Sequence, residues 1–294
     1  MAPDIGLCAQ VACVWEATAR KPGNVHRYRD FDDAGYVDFL LSAAALAPVL
    51  STACQRPVGA TVLEAIRATR RVVRTNTNLG IALLLAPLAA VPEGVDLRAG
   101  VGRVLAGLTV EDARLAYEAI RLAAPGGLGR AADQDVAAEP TLTLREVMAL
   151  AAGRDRIARQ YAGGFADVFD DGAPAVCAGL ELSGTVEGAI IHAHLTIMAR
   201  HPDTLIARKR GPAEAAEAAA RARRVLEEGW PQQPSGRVAL AELDQWLRAE
   251  GNGRNPGATA DLVAASLFVL LREGALPLPA SLPWSAGDAA APPR

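Results

Sequence analysis

Polar and apolar positions follow a helical period along almost the whole chain. Between residues 58 and 74, Val58, Val62, Ala65, Ile66, Thr69 and Val73 fall on one face, with Glu64, Arg67, Arg70, Arg71 and Arg74 mostly opposite. Thr143 and Glu146 have the spacing of a capping box ahead of Leu144, Val147, Met148 and Ala151. Residues 213–228 predict an alanine-rich helix with Glu217 and Arg221 four apart, stopped by Gly229 and Pro231. Further helices are predicted over 36–52, 77–91, 110–123, 174–200, 239–250 and 258–273, the last apolar on most sides and therefore buried. No alternating β-branched run interrupts them. The expected fold is all-α, a single compact multi-helix domain of roughly ten helices over residues 1–273.

Two segments lie outside this pattern. Residues 274–294 are rich in Pro and Ala without periodicity and predict a disordered or surface-draped tail. The stretch from Pro125 to Thr141 contains Gly126, Gly127 and Gly129, then Asp133, Asp135 and Glu139. Connections this long are uncommon in compact domains and are often functional.

Composition narrows the class. The chain has 294 residues, 51% hydrophobic and 21% charged, with a formal net charge of −3. Near-neutrality and thirteen aromatics give no basis for binding nucleic acid or an anionic membrane. The most apolar stretch, Leu79 to Val91, is shorter than the ~20 residues a membrane helix needs. The N-terminus has no basic, then apolar, leader pattern. Cys8, Cys13, Cys54 and Cys177 include no C-x-x-C pair and read as small buried hydrophobes in a reducing compartment. The expected location is the cytoplasm.

Lysine and asparagine are rare in a chain rich in arginine and alanine. Lys21 and Lys209 are the only lysines among 30 basic residues, and Asn24, Asn76, Asn78, Asn252 and Asn255 are the only asparagines. All seven fall in four short segments. Turns and caps account for some asparagines. They do not account for the lysines, since arginine serves a solvated face equally well.

The first segment runs from Glu16 through Lys21-Pro22-Gly23-Asn24-Val25 to Arg27, Asp30, Asp32 and Asp33, a loop mixing cations and carboxylates that suits a phosphate with its metal ion. A solvated turn with surface ion pairs reads equally well. The second, Thr75-Asn76-Thr77-Asn78-Leu79-Gly80, offers caps or ligand contacts at a helix start. In the third, Asp203-Thr204 precedes Arg208-Lys209-Arg210-Gly211, either a solvated helix end or a polyphosphate clamp. The fourth, Arg254-Asn255-Pro256-Gly257-Ala258-Thr259-Ala260-Asp261, opens a buried helix as an anion site might be built. Three other patterns are weaker. Glu187, His194 and His201 share a helical face but lack a metal motif and read as core histidines; Asp167, Asp170 and Asp171 have no second copy; Gly126 to Gly129 follows no strand.

Taken in order, these four segments resemble the triphosphoribosyl-dephospho-CoA synthase family. The matching motifs are Lys21-Pro22-Gly23-Asn24-Val25 with the loop to Asp33, Asn76-Thr77 with Gly80, Asp203-Thr204 with Lys209 and Gly211, and Pro256-Gly257 with Ala260-Asp261-Leu262. A weaker match is Gly107-Leu108-Thr109, and the likeness spans residues 8–273. Better-known members have His-Lys where this chain has Asn78-Leu79, the loop after Lys21 is about two residues shorter, and the usual Arg-Gly-Glu is absent near 126–130. The chain is similar to a divergent, archaeal-type branch.

The resemblance implies a helical, ATP-dependent pentosyl transferase of cofactor or prosthetic-group biosynthesis. It would move the triphosphoribosyl unit of ATP to an acceptor hydroxyl and release adenine, through an oxocarbenium-like transition state. Such chemistry needs cations and Mg²⁺ at the triphosphate, a carboxylate base, and a proton donor for adenine. On that basis Asp203, Asp33 and Glu16 are the expected catalytic residues. Lys21, Arg27, Asn76, Asn78, Arg208, Lys209 and Asn255 are expected to bind substrate, and Asp33, Asp203 and Asp261 to bind metal. Expected partners are ATP and a cofactor precursor, with a homodimer as the assembly to test. Three alternatives stay open: a ribosyl-transfer step in another cofactor pathway, such as that of tetrahydromethanopterin, hydrolysis of a ribosyl bond, and non-catalytic nucleotide binding.

Overall fold

A computed structural model describes residues 4–126, 133–278, 280 and 282–285. Among them the chain winds through α1 (Ile5–Thr18), α2 (Tyr36–Leu50), α3 (Val58–Arg70), α4 (Leu79–Ala89), α5 (Leu97–Ala106), α6 (Val110–Ala123) and α7 (Leu144–Ala151). It continues through α8 (Arg156–Gly163), α9 (Ala173–Ser183), α10 (Val186–Arg200), α11 (Thr204–Arg210), α12 (Pro212–Glu227), α13 (Pro234–Arg248) and α14 (Gly257–Arg272). A short 3₁₀ turn, Ala53–Gln55, and a π-helix, Asp167–Gly172, complete the described elements. The fold is all-α, and the described residues contain no strand.

α14 runs through the middle of the molecule. Nearly all of its side chains from Ala258 to Leu271 are buried, and it packs against α1, α4, α8, α9, α10 and α11. α4 is apolar all round and equally enclosed, as expected of a helix with no polar face. Arg272, at the end of α14, donates to the carbonyls of Leu88 and Val91 at and just beyond the end of α4. A second, smaller apolar cluster lies between α10, α11, α12 and α13 around Leu195, Met198, Ile206, Val225, Trp230 and Leu243.

Several boundaries differ from the periodicity. The stretch 174–200 is two helices, because Gly184 takes a left-handed conformation (φ 64°) and the Thr185 hydroxyl then caps α10. There are fourteen α-helices among the described residues where roughly ten were expected, because several single-turn breaks are hidden in continuous apolar patterning. Residues 127–132 of the long glycine-containing loop lie outside the described residues, as do most of those after Trp284. The described part of the tail is draped on the body. The carbonyls of Pro283 and Trp284 accept from the first amides of α10, and Trp284 packs beside Trp15.

Candidate active site

Asp203 ties two helices together. It is the N-cap of α11, where Oδ1 accepts from the amides of Leu205 (2.8 Å) and Ile206 (3.1 Å). Oδ2 accepts from the amide and the hydroxyl of Thr259 in the first turn of α14, both at 2.7 Å. Those four donors take all the acceptor positions of a carboxylate. Burial raises the Asp203 pKa above the usual carboxylate range, against donors that favour the anion.

Asp261, half a turn further along α14, is different. No donor among the described residues reaches its carboxylate. It rests directly on Gly80, where a Cβ would overlap Oδ2. Burial, then the neighbouring carboxylates of Glu16, Asp203 and Asp155, hold its pKa well above the usual range, while Arg208 draws it back.

Glu16 belongs to α1 and stands 3.0 Å from Nζ of Lys21. Lys21 is fully enclosed. The Pro22-Gly23 turn, with Gly23 at φ 71° and pressed against Leu247, folds the lysine back over the end of α1. Its ammonium meets the carbonyls of Glu16, Ala19 (3.3 Å) and Val25 (3.4 Å). A compact ammonium suits this enclosed space at a helix C-terminus, where a planar guanidinium would need a wider fork. Burial raises the Glu16 carboxyl and lowers the Lys21 ammonium, and each partner pulls the other back.

Glu16 also lines a narrow recess between α1, α2 and α4, with room for about one water, together with Phe39, Ser42, Thr77 and Asn78. The hydroxyls of Ser42 and Thr77 are 2.5 Å apart. Asn78 Nδ2 donates to Thr69 Oγ1 at 2.9 Å, but its buried Oδ1 has no partner. Asn76 is exposed, and its Oδ1 accepts from the Leu79 amide at 3.1 Å.

On the other side of Asp203, α11 presents its basic end. Lys209 is half-buried and donates to the Asn252 carbonyl at 3.3 Å. Asn252 Nδ2 donates to Asp33 Oδ1 at 2.9 Å, so the loop after Lys21 meets the turn before α14. Burial lowers the Lys209 pKa, Asp33 and Asp203 raise it, and Arg208 lowers it. Arg208 faces Asp155 Oδ2 at 3.4 Å. Asn255 keeps a buried, unpartnered Oδ1 in the same turn.

A family model described as CitG, ATP:dephospho-CoA triphosphoribosyl transferase, matches residues 2–278. The chain belongs to this family. A crystal structure of an Archaeoglobus fulgidus protein assigned as a triphosphoribosyl-dephospho-CoA synthase is 26% identical, with a TM-score of 0.61. The match covers 80% of this chain and 99% of that one. No curated protein matches. The chain is thus a triphosphoribosyl-dephospho-CoA synthase-type transferase, ATP-dependent and acting in prosthetic-group biosynthesis.

Three of the segments singled out in the sequence converge on Asp261: it rests on Gly80, and the charges of Glu16, Asp203 and Arg208 act on it. Arg27 is held elsewhere. Its guanidinium donates to Glu187 Oε1 (2.7 Å) and to the Thr18 carbonyl (3.2 Å), and lies over the rings of Tyr28 and Trp284.

Asp33, Asp203 and Asp261, the expected metal set, are not among the described groups of three whose ligand atoms all lie within 4.8 Å of one another; Asp33 accepts from Asn252 and Asp203 from Thr259. Among the described residues that spacing is met by Asp167, Asp171 and His201. There Arg156 (3.0 Å) and Gln160 (2.7 Å) already hold Asp167, and Arg200 and His201 hold Asp171. His201 is therefore a part-exposed hydrogen-bond partner of Asp171 and not a core histidine, whereas His194 is completely buried.

Sequence reasoning missed Asp155, Phe39 and Ser42, and named Thr259 within the fourth segment without a role. Asp155 reads as one more helix cap, which it also is, donated to by the amides of Ile157 and Ala158. Phe39 and Ser42 sit in an otherwise apolar helix, where nothing local marks the side facing α4.

Proposed function

We propose that triphosphoribosyl transfer takes place at Asp261, with dephospho-CoA as the acceptor. The observation that carries this reading is an unpartnered carboxylate, seated on Gly80 and under the charge of three others, in a chain of this family. A carboxyl whose pKa is raised in this way takes up a proton more readily than an ordinary carboxylate. Asp261 accordingly receives the acceptor hydroxyl's proton as the C1′–oxygen bond forms. Cleavage of the C1′–N bond leaves its electron pair on adenine, which takes its compensating proton from solvent, because Glu16 is ion-paired with Lys21. Asp203 holds α11 and α14 in register, in place of the base role expected from the sequence, since its acceptor positions are full.

Lys209 and Arg208 hold the triphosphate, with Asn255 and Asn76 at the margins. Lys21 serves the site through Glu16 and not by touching phosphate, because its ammonium is enclosed. Mg²⁺ fits the carboxylate oxygens at this basic end. Hard cations of that kind take one or two carboxylates together with substrate phosphates, and Asp33 and Asp155 both keep acceptor positions there. The ion would neutralise phosphate charge. A homodimer is supported by the exposed Val37 and Leu41 on the outer face of α2, and light scattering tests it. No helix among the described residues is long and apolar enough to cross a membrane.

Incubation with ATP, Mg²⁺ and dephospho-CoA is expected to release adenine only when acceptor is present, with one triphosphoribosyl unit gained by the acceptor mass. Adenine release without acceptor consumption would make the chain a hydrolase. Nucleotide binding without turnover would make it non-catalytic, and transfer to a pterin precursor alone would change the acceptor.

A further inference from the structure

Two neighbouring surface helices carry almost no charge. α1 has one charged residue in 14 and α2 one in 15. Glu16 is buried against Lys21, and Asp38 accepts from the Gly35 amide at 2.8 Å. By contrast, α12 exposes Glu217, Arg223, Arg224 and Glu227 to solvent.

α2 nevertheless presents a regular apolar stripe outwards. Val37, Leu41, Ala44 and Pro48 are exposed, Val37 at 62% and Leu41 at 42%, with Leu40 and Ala45 half-buried beside them. Their spacing of four, three and four is that of a coiled-coil seam, which a second helix covers. α1 lies antiparallel alongside: Gly6 rests against Ala47 and Ser51 at the end of α2, and Thr18 bonds to Tyr36 at its start. It adds Leu7, 46% exposed, and the half-buried Val11 and Val14.

The order of side chains along the stripe selects its occupant. The larger ones, Val37, Leu40 and Leu41, come first, and the smaller ones, Ala44, Ala45 and Pro48, follow. A second α2 laid antiparallel, about a two-fold axis between residues 42 and 43, sets Leu41 opposite Ala44, Leu40 opposite Ala45 and Val37 opposite Pro48. Each layer then joins a large side chain to a small one. The face is complementary to itself, which an isologous contact requires. A parallel pair would instead set Leu41 on Leu41 and Ala44 on Ala44. Fifteen residues are about 22 Å long, and two helices side by side are about 20 Å wide. A face of that outline stands at the lower end of the ~1,200–2,000 Å² that stable complexes bury in total, so the pair should dissociate on dilution.

We propose that α2 packs antiparallel on α2 of a second copy, flanked by α1, and that this seam is the dimer interface. The seam rests on the homodimer reading above and supplies its surface and register.

Sedimentation equilibrium over a dilution series reads the assembly first. Wild type is expected to form a dimer, and a monomer at every concentration overturns both the homodimer and the seam. Leu41→Glu buries an unpaired carboxylate twice in a two-fold contact, so its dissociation constant should rise roughly a hundredfold or more. Unchanged affinity in Leu41→Glu keeps the homodimer and overturns the seam. If that variant fails to fold, cross-linking decides. In a Cys54→Ser/Cys177→Ser background, which removes the exposed thiols, Val37→Cys and Pro48→Cys proteins are mixed and treated with a short bismaleimide. The mixture should yield covalent dimers that neither protein gives alone. No gain on mixing overturns the proposal.

Discussion

Asp261 lies against Gly80 so closely that a methyl group on Gly80 would occupy the space of the carboxylate oxygen Oδ2. A motif residue of α4 thus exists to seat a motif residue of α14. The atom in the way is the end of a side chain that can swing aside, so Gly80→Ala should cost little stability, about 1 kcal/mol at most. Adenine release should nevertheless fall at least a hundredfold, because Asp261 is displaced. Activity near wild type, measured beside a thermal melt, would remove Asp261 from the chemistry.

Asp261 and Asp203 should separate function from stability. Asp261→Asn removes a carboxylate that has no donor and three like-charged neighbours, so the melting temperature should hold or rise while turnover is lost. Asp203→Ala removes the cap of α11 and two bonds to Thr259, and should cost about 2–4 kcal/mol in urea unfolding. The reverse pattern would exchange their roles.

The Glu16–Lys21 pair is enclosed, so losing one partner leaves a buried charge. Lys21→Met should destabilise by about 3–5 kcal/mol. The double variant Glu16→Gln/Lys21→Met should recover a good part of that loss and remain inactive. A double variant no more stable than Lys21→Met would show that the lysine acts through the carbonyls alone.

Acid should destabilise the fold through histidine. Burial lowers the His194 pKa to about 3 and that of His26 to about 4, against 6.5 unfolded. Between those values and 6.5 the unfolded chain binds more protons, so stability is full above pH 6.5 and falls as pH drops. Each histidine contributes up to about 1.4 kcal/mol per pH unit. The raised carboxyl of Asp261 has the opposite sign and is most favourable at low pH. His194→Leu should therefore flatten the acid limb of the stability curve. An unchanged slope would locate the proton uptake elsewhere.

Lys209 faces a carbonyl and not a carboxylate partner, which leaves its charge available to a ligand. Lys209→Ala should weaken ATP binding by about 1.5–3 kcal/mol, the range for a hydrogen bond to a charged group. Lys209→Arg should also weaken it, since the planar fork does not replace a compact ammonium. Equal ATP affinities for all three proteins by calorimetry would make Lys209 an ordinary surface residue.

The sequence by itself determined the all-α class, most helix positions and the segments that carry the motifs. Periodicity and caps are local: Thr143 with Glu146, or Val58 to Val73, specify a helix and its buried face without reference to the rest of the chain. The scarcity of lysine singled out Lys21 and Lys209 as positions that arginine would not fill, and the fold encloses the first and half-buries the second. Only the tertiary structure decided what each charged group meets. Asp203, Asp261 and Asp155 are the same residue type at or near the first turn of a helix. One is filled by Thr259, one is left bare over Gly80, and one faces Arg208. Partner and burial set a carboxylate's acceptor capacity and its pKa, and both come from helices far apart in the chain packing around α14.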